Sequence, residues 1–149
     1  MKVYFAARFS RLPELLSHKN EIEWLGRRYG TEIAVTSRWL LGGHEWVGVA
    51  DEDIPVEHNA EFARQDIEDL MAADVVVCFT EPSRSGPARG GRHVEMGYAL
   101  AIQKPILTVG HRENVFYCLP DIAFVESWED AKTWLFAYET QLSERDSAA

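Results

Sequence analysis

A carboxylate, Glu95, stands behind two glycines and an arginine in the run Gly90-Gly91-Arg92-His93-Val94-Glu95-Met96-Gly97-Tyr98-Ala99-Leu100-Ala101, which reads as the opening of a helix. A carboxylate in a first helical turn complements the positive end of the macrodipole, or it is presented for reaction; local pattern leaves the two readings level. Arginines gather around this run and after the first strand: Arg8, Arg11, Arg84, Arg89 and Arg92. The formal charge of −9 argues against binding along a nucleic-acid backbone, so an anionic small ligand would have to be met by such a local cluster. A guanidinium at a helix N-terminus suits a phosphate, whereas an arginine in a surface loop serves solubility; Arg89 admits both readings. Tyr4 reads by pattern as a core aromatic. Trp39 and Trp46 either stack on a planar ligand or anchor the loop that bears them. His93 reads as a structural or orienting residue, because no second His or Cys stands at metal spacing, and Cys78 and Cys118 read as packed thiols.

These residues need elements to hold them. At 149 residues, 46% apolar and 26% charged, the chain suits one folded domain spanning 1–149, and its apolar runs are too short for a membrane helix. The N-terminus enters a strand pattern with no secretory signal, which predicts a cytoplasmic protein. Strands are expected at Lys2–Ala7, Glu32–Ser37, Asp74–Thr80, Pro105–Val109 and Ile122–Val125. Helices are expected at Leu12–Tyr29, ended by Gly30, at Glu57–Ala73, at Arg92–Gln103, and after an N-cap at Ser127, with 143–149 a frayed tail. A short helical turn falls near Glu113–Leu119. The loops Arg38–Val56 and Glu81–Gly91 carry most of the unusual residues. Alternating strands and helices predict an α/β sandwich of the Rossmann-like or flavodoxin-like kind, a parallel five-stranded sheet in the order 2-1-3-4-5, with ligands at the carboxyl ends of the strands.

Taken together, the strand VYFAARFSR, the stretch Gln65-Asp66-Ile67-Glu68-Asp69-Leu70-Met71-Ala72-Ala73-Asp74-Val75-Val76-Val77 and the motif HVEMGYALAIQKPILTVG resemble the nucleoside 2-deoxyribosyltransferase superfamily, including the nucleoside 5′-monophosphate N-glycosidases. The resemblance covers residues from about 2 to 115. It implies that Glu95 attacks C1′ of the sugar. A carboxylate suits that task, since breaking the glycosidic bond builds positive charge on the sugar, which a carboxylate on the opposite face stabilises and then traps. It implies Asp66 as the base-contacting acid; the rival is Asp69 on the same helix, and spacing favours Asp66. It implies that Tyr4 bonds Glu95 and crowds a 2′-hydroxyl, and that Asn114 reaches the sugar site of a neighbouring subunit, which makes the enzyme a homodimer or larger. The position six before the nucleophile departs from the family's patterns: it holds Arg89, where transferases carry an acid and monophosphate hydrolases a small hydroxyl residue. Arg89 and Arg92, at the Gly91 end of the helix, are expected to meet a 5′-phosphate. Ser10 stands where the hydrolase pattern has an arginine, a contact that Arg8 or Arg11 could supply.

The resemblance thus implies an enzyme of nucleotide salvage with no metal and no cofactor. It releases the base from 2′-deoxynucleoside 5′-monophosphates or deoxynucleosides by hydrolysis. Base exchange between deoxynucleosides is the alternative, differing only in whether water or a second base meets the glycosyl-enzyme. A noncatalytic nucleotide-binding sensor is the alternative of another class. A flavodoxin-like redox domain would want a Ser/Thr-rich phosphate loop after the first strand, and none is evident.

Overall fold

Val3 and Phe5 alternate with Tyr4 and Ala6 along the first strand, and the two sets face opposite layers of the molecule. The structure, a computed structural model, describes residues 1–42, 46, 49–82 and 90–148. Its elements run β1 (Lys2–Ala6), α1 (Leu12–Tyr29), β2 (Ala34–Val35), α2 (Val56–Ala72), β3 (Val75–Phe79), α3 (Gly91–Ala101), β4 (Ile106–Val109), β5 (Ile122–Val125) and α4 (Trp128–Ala148). Short 3-10 turns lie at Phe9–Arg11, Arg38–Leu40, Asp51–Asp53 and Val115–Cys118. The five strands form one sheet in the order β2-β1-β3-β4-β5, every pair parallel, as the sequence pattern predicts.

On one face Val3, Phe5, Val75, Val77, Phe79, Leu107 and Val109 pack with Leu15 and Ile22 of α1 and with Ala131 and Leu135 of α4. On the other, Tyr4, Ala6, Val76, Cys78 and Ile106 pack with Leu70 of α2 and with Met96 and Ala99 of α3. Every residue of β3 is buried, as befits the middle strand of a sheet covered on both sides. Gly30 closes α1 in the left-handed conformation with φ 74°, which a glycine adopts at no steric cost. Among the described residues no helix is long and apolar enough to cross a membrane.

Two boundaries differ from expectation. Strand pairing at β2 covers only Ala34–Val35, whereas the pattern suggests Glu32–Ser37. The reason is local: the Ser37 hydroxyl accepts the Phe5 amide at 2.7 Å and so takes the place of a ladder carbonyl, after which the chain turns at Arg38. At the other end, α4 runs on to Ala148, through the stretch expected to fray. Its start is as expected, with the Ser127 hydroxyl accepting the Asp130 amide at 3.2 Å.

Candidate active site

Because Tyr4 lies on the α2/α3 face, its ring runs beneath those two helices, and its hydroxyl donates to Glu95 Oε1 at 2.6 Å. The bond joins β1 to the first turns of α3. Burial pushes the Glu95 carboxyl up to about 7; the Tyr4 hydrogen bond and the charge of Arg92 pull against it, while Asp66 adds to it. Asp66, on α2, is likewise pushed up to about 6, by burial first and by the charge of Asp69 second, with the Tyr4 hydroxyl and Arg38 opposing. Tyr4 itself is fully buried and its hydroxyl is pushed well above its ordinary value, first by burial and then by the charge of Glu95, so it remains a donor. Three groups from three elements therefore meet: a carboxyl near its titration midpoint at neutral pH, a second one just below it, and a phenol that acts on both.

Asp69, the sequence-level rival of Asp66, has another occupation. Its two oxygens accept the Arg38 amide and the Arg38 Nε, each at 2.7 Å. It thereby pins the start of the long loop to α2. Trp39, next along that loop, donates its indole N–H to the Phe5 carbonyl at 2.8 Å and packs against both cores. That bond anchors the loop, one of the two roles open to Trp39 on sequence. Trp46 lies 5.5 Å from the His58 ring.

The arginines divide. Arg89 and Arg84 lie outside the described residues. Arg11 is engaged by Glu14, at 2.6 and 2.9 Å, and more loosely by Glu81 and the Thr80 carbonyl at 3.4 Å. Arg8 is half-buried at the carboxyl end of β1. Gly91 is the exposed first residue of α3. Arg92 is 3% exposed, and its guanidinium grips Glu113 through both Nε, at 2.9 Å, and Nη2. His93 Nδ1 lies 3.0 Å from the buried Tyr117 hydroxyl. Asn114 is exposed, and its side-chain oxygen caps the following 3-10 turn by accepting the Phe116 amide at 2.9 Å. Cys78 is buried as expected and Cys118 is exposed. Among the described residues no group of three or more His, Cys, Asp or Glu side chains is set to hold a metal ion.

Glu113 and Tyr117 are the residues that sequence reasoning overlooked, and one signal was available. Arg92, Met96 and Ala99 fall at i, i+4 and i+7, and all three are buried, so Arg92 lies in the core stripe of its helix and needs an internal acid.

A family model described as nucleoside 2-deoxyribosyltransferase matches residues 3–138. Among solved structures, a 2-deoxyribosyltransferase from the psychrotolerant bacterium Bacillus psychrosaccharolyticus superposes with a TM-score of 0.57 at 20% identity, covering 89% of this chain and 90% of that one. A conserved protein from Enterococcus faecalis V583 superposes with a TM-score of 0.55 at 16% identity, covering 89% and 95%. No curated protein matches the chain significantly.

Proposed function

Since the chain belongs to the nucleoside 2-deoxyribosyltransferase family, we propose that it cleaves the N-glycosidic bond of 2′-deoxynucleoside 5′-monophosphates, or of deoxynucleosides, through a covalent glycosyl-Glu95 intermediate. The observation that carries this reading is the 2.6 Å hydrogen bond from Tyr4 to Glu95, beside an Asp66 whose carboxyl burial holds up to about 6. In the first step Glu95 Oε attacks C1′ as the C1′–N bond breaks, and the departing base takes its proton from Asp66. Tyr4 holds the attacking carboxylate in line, and its buried ring occupies the space a 2′-hydroxyl would need. In the second step water adds at C1′ from the face the base has left, giving Asp66 its proton back and freeing Glu95, so the anomeric configuration is retained.

Hydrolysis stands ahead of base exchange on the arginine evidence alone: an arginine at position 89 favours a phosphate over the free 5′-hydroxyl of a nucleoside. Arg92 is already bonded to Glu113, so in this reading the phosphate falls to Arg89, aided by Arg8. Asn114 completes the sugar site of a second copy of the chain, and the exposed side chains that follow it support that arrangement: Val115 at 76% and Phe116 at 60%.

The test is incubation with a panel of deoxynucleosides and their 5′-monophosphates, with chromatography for free base, on the wild-type chain and on Glu95→Gln. The wild type should release base, from monophosphates faster than from nucleosides, and the variant should fall by about a thousandfold or more. With a slow 2-fluoro sugar analogue the intact mass of the wild type should rise by one glycosyl unit. Base release at an undiminished rate from Glu95→Gln would end the proposal.

A further inference from the structure

Arg92 is a buried cation in the first turn of α3. It precedes Glu95 by three residues, and at that spacing two side chains on a helix are neighbours. Its guanidinium is held from across the site by Glu113, which comes from the segment between β4 and β5. The next residue, His93, meets Tyr117 from that same segment at 3.0 Å. Two successive residues at the start of α3 are thus fastened to one loop, and the fork of Arg92 leaves it only one orientation.

We infer that Arg92 is a positioning residue for Glu95, locked by Glu113 so that its positive charge lies against the nucleophile, and that it is not a ligand of the substrate's phosphate. This rests on the reading of Glu95 as nucleophile. A phosphate at Arg92 would have to displace a carboxylate from a pair whose side chains are 2% and 11% exposed. The groups that face Glu95 make the charge consequential. Tyr4 comes from β1, Asp66 from α2, Cys78 from β3 and Tyr117 from the segment after β4, while Glu113 of that same segment holds Arg92. Arg92 is a cation that acts with the Tyr4 hydrogen bond to favour the ionised carboxylate against burial and Asp66. The mechanism needs the proton on Asp66 and off Glu95, and Arg92 biases it that way.

The experiment is a carbon-13 titration of the Glu95 carboxyl, assigned by its loss in Glu95→Gln, run beside steady-state kinetics on a deoxynucleoside monophosphate. In Arg92→Met the Glu95 midpoint should rise by about one unit, a tenfold fall in the proton concentration at half-titration, with a similar displacement of the acidic limb of the rate profile. The loss should appear in kcat, with KM for the monophosphate changed less than threefold. Glu113→Gln removes the opposing charge and should leave the midpoint level or lower it. Opposite behaviour of the two variants distinguishes positioning by charge from general loosening, which would move both alike. If Arg92→Met leaves Glu113 too poorly satisfied to fold, Arg92→Met with Glu113→Leu removes both charges and should still raise the midpoint. An unmoved midpoint in either folded protein, or a KM raised tenfold or more with kcat intact, would overturn the inference and return Arg92 to the phosphate. The titration needs no turnover, so a wild type that releases no base would refute the catalytic reading while leaving this one to be decided.

Discussion

At the level of single residues, the proposed reaction turns on two carboxyls with one proton between them. In it Glu95, pushed up to about 7, is ionised to attack, while Asp66, pushed up to about 6, is protonated to give. Activity should therefore fall on the acid side as Glu95 takes up a proton and on the basic side as Asp66 loses one, giving a narrow bell with its top between pH 6 and 7. A kcat/KM profile that stayed flat from pH 5 to 9, about the range in which ordinary enzyme carboxyls have already titrated, would contradict it. The same shift has a consequence for stability. The folded protein holds the Glu95 proton more tightly than the unfolded chain, whose value is 4.5, so the stability that this proton gives is fully present below 4.5 and is lost as pH rises from there through about 7. Glu95→Gln should then be more stable than wild type at pH 8, by roughly 1–3 kcal/mol, or about 2–4 °C in Tm for each kcal/mol, and the gap should close by pH 4. Thermal melts at the two pH values measure it. Asp66→Asn should cost far more activity than Asp69→Asn, while Asp69→Asn should cost stability, since its two oxygens hold Arg38. Rate and melting data on the pair separate the two effects.

At the level of elements, the loop leaving β4 decides how α3 is seated. Gly110 has φ 112°, and a Cβ there would lie 3.2 Å from the Thr80 carbonyl oxygen. The next amide, His111, donates to the Thr80 hydroxyl at 2.6 Å, so the carboxyl ends of β3 and β4 are stitched together where the site opens. Gly110→Ala should destabilise by about 1–3 kcal/mol and reduce base release, because the displaced loop carries Glu113; denaturant melts and rates check both. The periodicity of the chain made most of these elements legible. Leu12–Tyr29 and Ile122–Val125 fall where the pattern puts them, and the buried run of β3 could be read directly. Glu95 and Asp66 came into view through a resemblance and not through spacing alone. What stayed hidden were partnerships between distant segments. The Tyr4 bond to Glu95 was expected from the resemblance, whereas pattern alone reads Tyr4 as core; the grip of Glu113 on Arg92 was not foreseen, because strand and helix patterns carry no information about which loop returns to which helix. Ser37 shortened β2 for a similar reason, its hydroxyl answering a backbone group on another strand.

For the whole molecule, the face formed by α3 and the segment after β4 is the one expected to meet a second copy. Placing a charge in it, as Phe116→Asp, should leave the monomer folded, lower the mass seen by light scattering to that of one chain, and depress base release if Asn114 serves the neighbour's sugar site. A wild type that is monomeric at micromolar concentration and fully active would remove that assignment. The strand order has a consequence of another kind. β1 sits between β2 and β3, and its long pairing is with β3, which begins at Val75. On a ribosome adding roughly 5–20 residues each second, the apolar stretch that ends at Ala6 therefore waits several seconds for the strand that will cover it. Tyr4 and its neighbours spend that interval exposed on the nascent chain, and the hydrogen bond to Glu95 forms only after β1 has been matched with a segment made much later. A strand made early thus lies inside the sheet, and it waits for β3 and then α3, both made much later, before its faces are covered.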